Sequence, residues 1–127
     1  MPREPIPEDL RRFILTSVPS VPFVEAMLIF REAKGVPITI DQLAQRLYMG
    51  EKAAVDIVAQ LRETRVVESS EGGAGNRYAP PPELSAMLEM LANYYRSNLV
   101  EVTDMIHSRK ARVAHQFADA FKLRKDS

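Results

Sequence analysis

Residues 38–80 read ITIDQLAQRLYMGEKAAVDIVAQLRETRVVESSEGGAGNRYAP, and the period of their apolar positions decides the fold. Thr39 followed by Gln42 has the spacing of a capping box, in which each side chain accepts from the other residue's backbone N–H at a helix start. It predicts a helix over 40–48 with Leu43, Ala44 and Leu47 on its apolar side. Met49 and Gly50 predict a tight turn. A second helix over 51–64 places Ala54, Ile57, Val58 and Leu61 at i, i+3, i+4 and i+7. Two short helices joined by a tight turn containing glycine make a helix-turn-helix pattern. The period then changes. Residues 65–69 read as a strand, 71–76 as a glycine-rich turn and 77–79 as the returning strand, so a β-hairpin wing follows directly. Pro80, Pro81 and Pro82 end it.

Upstream, Pro7 suits the first turn of a helix, with Glu8 and Asp9 at its positive end and Leu10, Phe13 and Ile14 on one face. Pro19 and Pro22 stop that helix and start another over 23–34. The apolar residues of this second helix cover nearly its whole circumference, which predicts burial on most sides. Gly35 is a natural left-handed stop, and Pro37 prevents continuation.

Downstream, residues 83–107 carry the longest helical pattern. Leu84, Leu88, Leu91, Tyr95, Val102 and Met105 recur at alternating spacings of three and four, with Asn98 at the one polar seam position. A helix of roughly 25 residues spans about 37 Å, longer than a small domain is wide. The expectation is a dimerisation helix that pairs two copies, with Asn98 setting the register. Tyr94, Tyr95 and the run Met87, Leu88, Met90, Leu91 are read mainly as packing, with a small-molecule pocket near the dimer cleft as the other reading.

The expected architecture is therefore mainly α with a small β-hairpin wing. Residues 1–80 form a winged helix-turn-helix domain with N-terminal helices, 81–107 the dimerisation helix, and 108–127 a basic amphipathic tail. That tail carries Val113, Phe117, Ala120 and Phe121 beside Arg109, Lys110, Arg112, Lys122, Arg124 and Lys125.

A chain of 127 residues suits a single core. No apolar run approaches the ~20 residues of a membrane span, and the first ten residues lack the apolar stretch of a secretory signal. There is no cysteine, which excludes disulfide and thiol chemistry and fits a bacterial-type cytoplasmic protein. Seventeen basic residues balance seventeen acidic ones, but unevenly: residues 106–127 hold six Lys and Arg against two Asp. A nucleic-acid binder draws much of its affinity from phosphate neutralisation, so any basic patch here must be local.

Residues 38–78, about a third of the chain, resemble the winged-helix transcription regulators, particularly the MarR-like branch. The flanking helices, two before the motif and a long one after the wing, fit the same branch. The resemblance implies a homodimer that sets one recognition helix per subunit in the major groove and a wing against the minor groove. On that reading Lys52, Ala53, Asp56, Gln60, Arg62, Asn76 and Arg77 are the DNA-contact candidates, with Lys52, Arg62 and Arg77 on phosphate. The recognition face departs from the branch. Gly50 stands where a Ser cap is usual, and Glu51 and Asp56 carry the wrong sign for phosphate. Arg65 occupies the helix-ending glycine position, a modest strain if a left-handed backbone is needed.

Two functions follow. The expected one is a homodimeric, DNA-binding transcription regulator. The alternative is a winged-helix protein–protein interaction module that reads no DNA, docking through Ala53, Val55 and Ala59 or through the basic tail. His107 and His115, eight apart, lack the spacing of a metal pair on a helix. No phosphate loop or nucleophile motif is present, so neither an enzyme nor a cofactor is expected.

Overall fold

The computed structural model describes residues 6–73 and 75–108. It is mainly helical, with one two-stranded antiparallel hairpin. Helix α1 (Glu8–Ser17) starts at Pro7 with Glu8 and Asp9 in its first turn, and buries Leu10 and Ile14. The chain turns through extended Val18, and Ser20 caps α2 (Val21–Glu32) by accepting from the Phe23 N–H at 3.2 Å. Helix α2 is the central element, burying Phe23, Val24, Ala26, Met27 and Phe30. Lys34 and Gly35 both take a left-handed backbone after it.

Ile38 forms the next contact that shapes the site. Its N–H and C=O pair with Asn76 at 2.8 and 3.0 Å, an isolated antiparallel bridge on the outer edge of the hairpin. Helix α3 (Ile40–Arg46) then starts with both halves of the expected capping box: Gln42 N–H to Thr39 Oγ1 at 3.1 Å and Thr39 N–H to Gln42 Oε1 at 2.9 Å. Helix α4 (Glu51–Glu63) buries Ala54, Ile57, Val58 and Leu61, the stripe its spacing predicts.

Helices α3 and α4 end alike. Tyr48 (φ 53°) and Arg65 (φ 68°) are left-handed, and the next residue donates back into the last turn, Met49 to Ala44 and Val66 to Leu61. Both ends have the hydrogen bonds of a Schellman motif, with a side chain where glycine is usual. The strain expected at Arg65 is present. The turn between α3 and α4 differs from expectation, because its left-handed residue is Tyr48, while Gly50 has an ordinary φ of −70°.

Strands β1 (Val67–Ser69) and β2 (Asn76–Tyr78) pair Val67 with Tyr78, Glu68 with Arg77 and Ser69 with Asn76. Gly75, at φ 112°, is required. A Cβ there would lie 2.5 Å from the Ile38 carbonyl oxygen, so the bridge strand passes too close for any side chain.

The single long helix expected over 83–107 is two helices. Helix α5 (Pro82–Ser97) ends at Asn98, whose φ of −136° and ψ of 46° leave the helical region, and α6 runs over 99–108. Asn98 makes the break with its own groups. Its N–H and its Nδ2 both donate to the Tyr94 carbonyl, while its own carbonyl accepts from Val102 and starts α6. Asparagine side chains offer the backbone such alternatives, and this one ends a helix instead of setting a register.

The seam expected to face a partner is also inside the molecule. Leu88, Leu91, Tyr95 and Val102 are buried in the chain's own core together with Ile106, and Leu84 and Met105 pack against it half-buried. One contiguous core draws side chains from all six helices. Two polar contacts stitch α5 to α2: Arg31 to both Glu89 oxygens at 2.7 and 2.6 Å, and the Tyr95 phenol to Glu25 Oε1 at 2.6 Å. A stripe with period 3.5 marks a face that must leave water, and here the chain's own core, with α1 and α2 against α5, takes up Leu88, Leu91, Tyr95 and Val102. Among the described residues no single helix is long and apolar enough to cross a membrane.

Candidate interface on the fourth helix

The outward side of α4 is exposed along its length. Its inner stripe packs on α2 and α3 and on the hairpin root. That leaves Glu51, Lys52, Ala53, Val55, Asp56, Ala59 and Arg62 exposed in succession. Gly50 begins the helix without a side-chain cap, so its first amides have no capping side chain. Beside this end stands Tyr48, 96% exposed, at the left-handed turn. Tyr48 is absent from the sequence-derived candidates. Its signal was a large aromatic at the last position of the first predicted helix, against the Met49–Gly50 turn, where polar or small residues are ordinary.

The charge on this face is mixed. Arg46, Lys52, Arg62 and Arg65 are exposed and make no ion pair among the described residues, and Asp41, Glu51, Asp56 and Glu63 interleave with them. The exposed cations and acids named here are equal in number, four of each.

The structure separates the other candidates. Lys52, Ala53, Asp56 and Arg62 share the outward face of α4, while Gln60 is half-buried at its margin. Asn76 is 8% exposed, and its backbone is committed to Ile38, so it is a buried sheet residue and not an accessible contact. Arg77 points along the hairpin to Glu68 directly across the register and donates to Oε1 through Nε at 2.9 Å and through Nη2. The hairpin tip, residues 70–75, holds Glu71 and glycines, with no cation among its described residues. The residue expected to meet phosphate thus makes a half-exposed cross-strand ion pair at the middle of the hairpin strands.

The two tyrosines diverge. Tyr94 lines a surface cleft with Met90, Leu10 and Pro7, whereas Tyr95 turns inward to Glu25, and burial followed by that hydrogen bond pushes its phenol well above the ordinary range. Tyr78, at the hairpin root, is also pushed up, first by burial and then by the Glu89 carboxylate; its hydroxyl is buried and unpaired. The Arg31 hydrogen bond holds Glu89 below the usual carboxylate range. Among the described residues no three metal-ligating side chains converge, and His107 is exposed on α6. The basic tail, including Arg109, Lys110, Arg112, Lys122, Arg124 and Lys125, and His115 lie outside the described residues. Comparison of the chain with protein-family models, curated proteins and solved structures yields no match.

Proposed function

We infer that the chain is a winged helix-turn-helix module, of MarR-like design, that binds a protein partner through the outward face of α4. The order helix, bridge strand, two helices around a tight turn, hairpin and closing helices supports the winged-helix reading. One observation carries the choice of partner: the surface that would enter a major groove presents Tyr48, Ala53, Val55 and Ala59 between charges of both signs. Groove readers need donors and acceptors at base edges and cations at phosphates. An exposed aromatic beside small apolar residues instead suits a protein hot spot, where a rigid ring fills a pocket and the surrounding polar rim excludes water.

A second reading, the DNA-binding regulator, draws on the same topology and on the unpaired Lys52 and Arg62. The two separate experimentally. At low salt, the 127-residue chain at micromolar concentration is expected to leave random duplex DNA unshifted, and a photo-reactive side chain at position 55 is expected to give one discrete polypeptide adduct in the source cell's extract. That adduct is lost in Tyr48→Ala and does not form from position 12 on α1. A DNA shift that Lys52→Ala weakens, with a smaller salt slope, overturns the protein reading in favour of the regulator.

A further inference from the structure

Between α1 and α5 lies a cleft of about 320 Å³, lined among others by Pro7, Leu10, Met90, Tyr94, Ser97 and Asn98. Met90 and Ser97 on its rim are exposed, so it is an open groove. Small-molecule sites bury most of their ligand, and an open groove whose lining is part apolar (Met90, Tyr94) and part polar (Asn93, Ser97, Asn98) suits an amphipathic segment laid across it. The break at Asn98 extends the apolar surface: Leu99 and Val100, the next two residues, are 52% and 62% exposed. No described side chain covers them.

We propose that residues 113–121 of this same chain occupy the groove. Val113, Phe117, Ala120 and Phe121 recur at spacings of three and four, giving one apolar side. Reach permits it. Helix α6 rises about 14 Å from 99 to 108, and the five residues from Ser108 to Val113 span up to about 17 Å when extended, enough to return Val113 to the level of Leu99. Charge favours it as well. Residues 1–105 hold eleven basic and fifteen acidic side chains, and residues 106–127 six basic and two acidic, so the balanced total conceals an acidic body and a basic tail. Glu8 and Asp9, between the lining residues Pro7 and Leu10, are exposed acids beside the cleft, and Asp104 is an exposed acid on α6. A short tether raises the effective concentration of the segment to the millimolar range, which favours the chain's own groove over that of a second copy.

The chain has no cysteine, so a spin label attaches cleanly at Ala118→Cys, beside Phe117 but off the apolar side. In the ¹⁵N-labelled, spin-labelled protein, the amide signals of Met90, Tyr94 and Leu99 lose most of their intensity, and Phe117→Ser with Phe121→Ser restores it. In a mixture of ¹⁵N wild type and unlabelled spin-labelled protein they keep it. Intact signals in both samples overturn the proposal, and loss in the mixed sample overturns it in favour of a second copy as donor.

Discussion

Arg77 and Glu68 face each other across the hairpin, and the guanidinium donates through both Nε and Nη2 to a single carboxylate oxygen. The pair satisfies the one cation that the hairpin strands carry. Arg77→Ala is expected to leave the mobility of duplex DNA unchanged. Because the pair is half-exposed, the same substitution changes unfolding free energy by less than about 1 kcal/mol in chemical denaturation. A marked loss of DNA binding in Arg77→Ala would contradict the protein-interaction reading.

Left-handed backbone at Tyr48 and Arg65 is a local strain that glycine relieves. Arg65→Gly is expected to raise stability by about 1 kcal/mol, the left-handed penalty of ~1–2 kcal/mol less the chain entropy glycine adds to the unfolded state. Tyr48→Gly gains similarly in thermal melts while losing the partner adduct from position 55. Stability and binding would then trade against each other at one residue. Gly75→Ala goes the other way, because a Cβ collides with the Ile38 carbonyl; it should cost at least about 2 kcal/mol and abolish the hydrogen-exchange protection of Asn76.

Core truncation tests where the seam faces. Leu91→Ala and Val102→Ala are expected to cost about 2–4 kcal/mol and about 1–3 kcal/mol of stability, as buried side chains do. The melting temperature of the parent should not depend on protein concentration if the seam is satisfied within one chain. A concentration-dependent melt abolished by Leu91→Ala would restore the pairing role.

Tyr95 sets an alkaline limit. Burial and the Glu25 hydrogen bond raise its phenol above the unfolded value near 10, so folding favours the protonated form. The stabilisation is fully present below pH ~10 and is lost as pH rises above it. Tyr95→Phe lowers stability at neutral pH by about 1 kcal/mol and flattens this alkaline limb in pH-dependent melts. Tyr78→Phe behaves differently: its buried hydroxyl has no partner, so removal is neutral or mildly stabilising.

What the sequence determined by itself is everything governed by neighbours along the chain. The Thr39–Gln42 box, the four-residue stripe of α4, the strained Arg65 and the glycine-rich hairpin all depend on contacts within a few residues, and each formed where its local chemistry required. Tertiary structure alone decided direction and pairing. A stripe such as Leu88, Leu91, Tyr95 and Val102 states that a face must leave water, but not whether a second chain or this chain's own α1 and α2 removes it. Arg77 was a cation without a known partner in the sequence, and the strand register that sets Glu68 opposite it supplied the carboxylate. Charges and apolar faces act through space, so their meaning is fixed by whatever the fold places within a few ångströms of them.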